Sequence, residues 1–265
     1  LNTVIDGNTA DGTLGSGGGI FSETPGTLTL TNVTLQNNTA NRAGGGIEIL
    51  SVAGETYTFT DLTLNNNTAT GAGTAPGNGG GYHISGGGDS MFTNVLAQNN
   101  TAVEGGALWN GPGTMTITGA DTQMDNNTAT GDDPDQGGGA LFNNGGTMNI
   151  DSFADIFNNL ATGTSGSGGA ILSTAGALNI NGAALTSNSA NRAGGGIEII
   201  DGTATLIDLQ LILNDVNGTA GTPNPGNGGG IHITGNATTV DVNGIVFLNT
   251  AASEGGGLWN NGGTM

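Results

Sequence analysis

One motif recurs along the whole chain and limits what it can fold into: two or three glycines, or Gly-Gly-Ala, followed by a large apolar residue. That apolar residue is, in order, Ile20, Ile47, Tyr82, Leu108, Leu141, Ile171, Ile197, Ile231 and Leu258. Successive copies are separated by 26 to 35 residues. A repeat of this length indicates a stack of equivalent units, each of which contacts only its neighbours.

A longer repeat contains five of these units. The sequence NRAGGGIEI at Asn41–Ile49 returns unchanged at Asn191–Ile199, 150 residues later. We therefore expect one continuous segment over 1–265, with a first block at 1–151 and a partial second block at 152–265. The chain begins and ends within a unit, so we expect it to be a piece of a longer array.

Each unit has the periodicity of strands. Leu28 and Leu30 alternate with polar residues, as do Val33 and Leu35, and the alternation breaks at Thr31-Asn32, where the chain must turn a corner. Short strands that stack on their equivalents in the next unit form a β-solenoid, in which glycine suits the tight corners. The sequence thus predicts an all-β, right-handed parallel β-helix of about nine coils of 26–35 residues.

Composition excludes several partners. The chain has 21 acidic residues against two arginines and no lysine, which leaves no basic surface for nucleic acid. It has no apolar run long enough to cross a bilayer, so we expect no membrane insertion. It also contains no cysteine for a disulfide framework.

A second motif, Asn-Asn-Thr-Ala, ends most units. Because an amide both donates and accepts hydrogen bonds, asparagines at one place in successive coils can form a ladder along the axis. The motif also matches the N-glycosylation pattern, but recurrence in nearly every unit favours a structural role at a corner. The predicted ladder consists of Asn38, Asn67, Asn100, Asn127, Asn159 and Asn188.

The residue after each motif's apolar residue defines a further row. If Ile47 and Ile49 face the core, Glu48 between them faces outward, because an unpaired buried carboxylate is costly. We therefore predict an exposed contact face for another rod or a ligand. The alternative is that these side chains only shield the strand edges or lie under a neighbouring loop. Its members are Phe21, Glu48, His83, Trp109, Phe142, Leu172, Glu198, His232 and Trp259.

Candidate catalytic or metal sites are sparse. His83 and His232 are copies of one position five coils apart, too distant for one metal, and we expect them to be surface histidines. Arg42 and Arg192 are also copies, and we expect each to make a structural hydrogen bond or an intermolecular pair. One acidic cluster, Asp132, Asp133 and Asp135, could hold Ca²⁺, although an acidic run of this kind is more often a solvated turn. With scattered carboxylates and no lysine, we expect no enzyme and no other cofactor.

The glycine motif, the Thr-rich strand after it and Asn-Asn-Thr-Ala together resemble the polymorphic outer membrane protein repeat of bacterial surface proteins. The resemblance covers essentially the whole chain. It implies a right-handed β-helix in an extracellular or cell-surface bacterial setting. Since the Phe of the family's other short motif is mostly Leu or Val here, as at Val33 and Leu35, its adhesion roles are not carried over.

These observations predict a non-enzymatic structural or adhesive segment of a long extracellular bacterial stalk, fibre or filament. Its expected partners are further copies, packed end to end or side by side, or surface glycans. Two alternatives stay open. One is a carbohydrate-binding or carbohydrate-active β-helix that uses Trp109 and Trp259. The other is an ice-binding surface, suggested by Thr-x-Thr-x-Thr at Thr27–Thr31, Thr56–Thr60 and Thr114–Thr118.

Overall fold

The computed structural model describes residues 2–71, 76–217, 226–235 and 239–265. Within these ranges the chain forms 26 strands, numbered β1–β26 from the N-terminus, which pair in parallel from coil to coil. The predicted parallel β-solenoid is therefore confirmed. None of the described segments is a helix with the length and hydrophobicity needed to span a bilayer.

Each coil contains three kinds of strand. The motif strand follows the glycines, and it is found as β3 (Ile20–Glu23), β6 (Ile47–Leu50), β9 (Tyr82–Ser85), β12 (Leu108–Asn110), β16 (Leu141–Asn144), β23 (Ile231–Thr234) and β26 (Leu258–Asn261). The long strand comes next, as β1 (Thr3–Asp6), β4 (Thr29–Gln36), β7 (Thr56–Asn65), β10 (Asp89–Gln98), β13 (Thr114–Thr118) with β14 (Gln123–Asp125), β17 (Thr147–Phe157) and β24 (Thr239–Phe247). In two coils the motif strand and the long strand are continuous, as β19 (Ile171–Thr186) and β21 (Ile197–Ile212).

The third strand of each coil has two residues and usually reads Thr-Ala. These strands are β2 (Thr9–Ala10), β5 (Thr39–Ala40), β8 (Thr68–Ala69), β11 (Thr101–Ala102), β15 (Thr128–Ala129), β18 (Leu160–Ala161), β20 (Ser189–Ala190), β22 (Asp215–Val216) and β25 (Thr250–Ala251). They form one nine-stranded sheet in chain order, which matches the predicted number of coils. The stacking continues across the boundary between the two blocks, because β17 pairs with β13 on one side and with β19 on the other.

The main core is a narrow apolar interior that runs along the axis. Inward residues of the motif and long strands stack on their equivalents, as Ile47 does on Tyr82. One part of the core is aromatic: the rings of Phe59 and Phe92 stack with centroids 4.8 Å apart, and Tyr82 packs edge-on against both. A few buried side chains per coil are enough because the backbone bonds between coils satisfy most peptide groups.

Left-handed backbone conformations make two of the corners. The predicted corner at Thr31-Asn32 is confirmed, since Asn32 has φ +53° and divides β4 into two flat halves. The second corner lies just before each short strand, where asparagine takes φ of +55° to +57° at Asn66, Asn99 and Asn158. Asparagine tolerates this conformation better than other residues with a Cβ atom.

Leucine at that second corner gives a test of this assignment. Leu213 has φ +58° and is half-exposed, so burial of its side chain offsets little of the backbone strain. We expect Leu213→Asn to raise the free energy of unfolding by about 0.5–1 kcal/mol, measured by urea denaturation. The matched reverse change, Asn158→Leu, should lower it by a similar amount. Equal stability of both variants and the parent chain would contradict the assignment.

Candidate functional site

The predicted row of outward residues forms a continuous column. Direct register partners join Phe21 to Glu48, Glu48 to His83, and His83 to Trp109. The same register continues through Phe142, Leu172, Glu198, His232 and Trp259. The stacking of the row is therefore confirmed, and its side chains lie on the opposite side of the motif strand from the main core.

The prediction that this column is an exposed contact face is wrong. Phe21 is half-exposed and Trp259 is partly buried. The other members are buried, namely Glu48, His83, Trp109, Phe142, Leu172, Glu198 and His232. Trp109, Phe142 and Leu172 make a second apolar cluster, separate from the main core. Trp109 is only 6% exposed, so it cannot serve as an open platform for a sugar ring.

The glycine corner explains this burial. Four residues before each column residue, a glycine takes φ of about +60° to +65°, as at Gly44, Gly79 and Gly228. This conformation folds the preceding segment back over the outer face of the motif strand. A Cβ atom placed on Gly79 or Gly228 would lie 2.7 Å from the Cβ of His83 or His232, respectively. Only glycine allows so close an approach, and the glycine motif thus supplies the cover of the column.

The first polar part of the column is an Arg–Glu–His group. Glu48 is fully buried, and its Oε1 accepts a hydrogen bond of 2.8 Å from Arg42 Nη2. Its Oε2 lies 2.7 Å from His83 Nδ1, a close polar contact that lacks the alignment of a hydrogen bond. The expected structural role of Arg42 is confirmed as an intramolecular pair. The expectation that His83 lies on the surface is wrong, because the glycine corner covers it.

The histidine continues the column onto tryptophan. The His83 and Trp109 ring centroids are 4.3 Å apart, and Trp109 Nε1 donates a hydrogen bond of 3.1 Å to Glu104 Oε2. Arg42, Glu48, His83, Trp109 and Glu104 therefore form one connected group that spans three coils. We call it the buried ionic column.

A copy of this group lies five coils further along. Glu198 Oε2 is 2.6 Å from His232 Nδ1, and His232 stacks on Trp259 at 4.3 Å. Trp259 Nε1 donates a hydrogen bond of 2.9 Å to Glu254. Arg192 is 3.6 Å from Glu198 and also donates to Ser167, so the Arg–Glu contact is longer than in the first copy. Like His83, His232 is buried, so the prediction of a surface histidine is wrong here as well.

Glu104, at the end of the buried ionic column, has a shifted pKa. Burial raises the pKa of its carboxyl group to about 7, and the charge of Asp135 adds to this, while the hydrogen bond from Trp109 acts in the opposite direction. Between the ordinary pKa of 4.5 and about 7, the folded chain therefore binds more protons at this group than the unfolded chain. The contribution of Glu104 to stability is thus greatest below pH 4.5 and is lost as the pH rises to about 7.

We expect Glu104→Gln to flatten this part of the pH profile. As the pH rises from 4.5 to 7.5, the free energy of unfolding of the variant should increase by about 1–2 kcal/mol relative to that of the parent chain. The difference is no larger because water partly screens the carboxylate. The measurement is chemical denaturation at a series of pH values. Glu254→Gln is the matched control, because Glu254 accepts the same tryptophan hydrogen bond but is exposed. Parallel profiles for the parent chain and Glu104→Gln would contradict this account.

The predicted asparagine ladder is confirmed. Side-chain hydrogen bonds of 2.9–3.0 Å from Nδ2 to Oδ1 join Asn38, Asn67, Asn100, Asn127, Asn159 and Asn188 in that order. Each of these amides is fully buried. The ladder also includes Asn8 at one end and Asn214 and Asn249 at the other, which the sequence analysis missed.

The candidate calcium residues do not converge. Asp132 Oδ1 accepts a hydrogen bond of 2.8 Å from the backbone N–H of Thr164, in the next coil. Asp133 donates its backbone N–H to Gln136, and Asp135 lies near Glu104. In the part of the chain that the structure describes, no group of three or more His, Cys, Asp or Glu side chains is placed to hold a metal ion. The acidic loop instead supports the corner of the following coil.

Comparison with known proteins gives no further assignment: no protein-family model, no curated protein and no solved structure matches this chain. The resemblance to the polymorphic outer membrane protein repeat therefore stays a prediction from the residues.

Proposed function

We propose that this chain is a non-enzymatic structural and adhesive segment of an extracellular bacterial stalk, fibre or filament. The observation that carries this proposal is the uniform stacking along the whole described chain. The asparagine ladder joins every coil to the next, and the buried ionic column occurs twice, 150 residues apart. Repetition of this kind lengthens a rod without altering its cross-section.

The use of ionisable residues supports the same proposal. Both arginines, both histidines and the two most buried glutamates lie in the two copies of the buried ionic column. Their partners are each other, so they stabilise the stack of coils. A general acid or base needs access to a substrate, and these groups lie under the glycine corner.

The proposed function is tested by the shape of the chain. Electron microscopy and small-angle X-ray scattering of the purified chain should show a rod. Addition of one further 150-residue block should lengthen it by about 24 Å, which is five coils at ~4.8 Å. A compact particle whose maximum dimension does not change, or turnover of a panel of polysaccharides, would contradict the proposal.

The charge of the rod predicts how copies associate. With a net charge of −19 and both arginines engaged inside the chain, neighbouring rods repel one another until ions screen them. We expect light scattering to increase with added NaCl, and to increase at lower concentration with CaCl₂. MgCl₂ is the control, since general screening makes it equivalent to CaCl₂. Scattering that does not depend on any of these salts would remove electrostatics from the account of assembly.

The ice-binding alternative has weaker support. Threonine pairs do lie side by side on the outer face of the long strands, at Thr58 with Thr60 and at Thr116 with Thr118. In the coil between Thr58 and Thr116, the equivalent position is Met91. In the coil after Thr116 and Thr118, the equivalent positions are Asn149 and Asp151. The regular threonine surface that this alternative requires is therefore interrupted.

A further inference from the structure

This inference rests on the adhesive part of the proposed function, and it concerns a groove on the outer face of the long strands. The groove has a volume of about 410 Å³ and runs parallel to the solenoid axis between two columns of side chains. One wall consists of Thr116, Asn149, Asn179 and Thr205, and the other consists of Asp151, Asn181 and Ile207. Facing residues in one strand are two positions apart, which separates the walls by about 6.6 Å.

The floor of the groove is main chain. Ile150 and Ile180 line it, but their side chains point into the core and are 1% exposed. The peptide groups of these residues lie in the parallel ladder between β17 and β19. A ligand therefore meets a flat, hydrogen-bonded floor and must be recognised by the side chains of the walls.

The walls carry hydrogen-bonding groups that are only partly used. Asn179 Nδ2 donates 2.9 Å to Asn149 Oδ1, and Asn181 Nδ2 donates 3.0 Å to Asp151 Oδ1. An asparagine amide has two donor hydrogens and two acceptor lone pairs, so each of these amides keeps capacity for a ligand. Asp151 and Asn181 are exposed, while Asn149 and Asn179 are partly buried. The internal bonds hold the amides in fixed orientations, which reduces the entropy lost on binding.

Charge and geometry restrict the ligand. Asp151 lies in the wall, Asp241 follows Thr205 in register, and the chain has no lysine, so an anionic ligand is repelled. An extended peptide would need the free backbone groups of a sheet edge, whereas this groove lies on a sheet face. A purely apolar ligand would leave the amides of the walls without partners.

A neutral sugar chain meets these restrictions. Its hydroxyl groups both donate and accept hydrogen bonds, as the wall amides require, and its C–H faces can contact Ile207. Coils repeat every ~4.8 Å, close to the length of one pyranose unit in an extended chain, so equivalent contacts can recur from coil to coil. From Thr116 to Thr205 the groove covers three such steps, or about 14 Å. We propose that this groove binds a neutral, linear β-linked polysaccharide laid along the solenoid axis.

The test is calorimetric titration of the full chain with cellohexaose and with chitohexaose. Asn179→Leu combined with Asn181→Leu should weaken binding of the preferred hexasaccharide at least tenfold. Thr58→Leu combined with Thr60→Leu is the matched control, since both residues lie in the same two columns, in an earlier coil outside the groove. This control should bind like the parent chain. Circular dichroism of both variants establishes that the solenoid is intact.

Three results would overturn the proposal. They are no binding of either neutral hexasaccharide at millimolar concentration, equal weakening by the groove pair and the control pair, and tighter binding of an anionic galacturonic acid hexasaccharide. None of these results bears on the rod itself, because microscopy and scattering measure its shape without any ligand.

Discussion

Replacing Glu48 with alanine is expected to lower the free energy of unfolding by about 3 kcal/mol, the largest effect of any single change in the buried ionic column. Glu48 is fully buried, and it contacts Arg42 on one oxygen and His83 on the other. Without the carboxylate, His83 keeps its buried ring nitrogen but loses the polar group that faces it, and a cavity opens under the glycine corner. Urea denaturation followed by circular dichroism measures the loss.

A control variant distinguishes the loss of the carboxylate from the loss of side-chain volume. Leu172 occupies the same column in another coil and is completely buried, so the column accepts leucine. We expect Glu48→Leu combined with His83→Leu to remain within about 1–2 kcal/mol of the parent chain, because a buried ion pair can often be replaced by apolar residues at little cost. Arg42 is left without a partner in this variant, but its side chain is 30% exposed and can reach water.

These two variants together decide the role of the pair. A large loss for Glu48→Ala and a small loss for the double leucine variant show that the cost arises from breaking the pair. Losses of equal size would show that the ionic group itself holds the coils together. A loss below about 1 kcal/mol for Glu48→Ala would contradict the close contacts to Arg42 and His83.

The column illustrates what sequence reasoning can establish in a solenoid. Periodicity within a coil and the spacing between coils were sufficient to place Glu48, His83 and Trp109 in direct register. Their burial could not be read from alternation, since alternation tells only which side chains point away from the main core. The left-handed glycine four residues earlier decides whether that second side is covered. The charged residues did offer a signal of burial. Glu48 and His83 are neighbours in the row, and Arg42 precedes Glu48 by six residues, so each buried polar group has a partner within reach.

The asparagine ladder was predicted in its middle and missed at its ends. Asn214 follows Leu213 and precedes Asp215, so the Asn-Asn-Thr-Ala motif no longer marks it. The backbone retains the same left-handed corner at Leu213, and Asn214 still bonds to Asn188 and Asn249. The functional position is therefore the second residue of the motif, and the others can vary where their side chains face solvent.

The groove on the outer face of the long strands could not be predicted from the sequence for a different reason. Alternation predicts that Asn149, Asp151, Asn179 and Asn181 face outward, but every long strand has such residues. A groove arises only where successive coils place side chains of suitable length in both columns and leave open space between them. That property depends on the register across several coils, which the uneven loop lengths conceal in the sequence.

Replacing Asn100 with alanine is expected to destabilise the chain by about 3–5 kcal/mol, because it removes a rung from the middle of the asparagine ladder. Asn100 Oδ1 accepts bonds of 2.9 Å from the backbone N–H of Asn67 and 3.0 Å from its Nδ2. Asn100 Nδ2 donates 2.8 Å to the carbonyl of Leu64 and 3.0 Å to Asn127 Oδ1. All four bonds are lost together in a site that water does not reach, and each orphaned donor costs about 1–3 kcal/mol.

The neighbouring asparagine provides the control for this experiment. Asn99→Gly keeps the left-handed corner and loses one exposed hydrogen bond to Asn65, so we expect a change below about 1 kcal/mol. Hydrogen exchange should locate the effect of Asn100→Ala. Coils in a solenoid are coupled mainly to their nearest neighbours, so protection should fall first at Asn67 and Asn127 and least at the distant coils. Uniform loss of protection would show that the chain unfolds as a single unit, and an unchanged stability would mean that backbone pairing alone holds the coils in register.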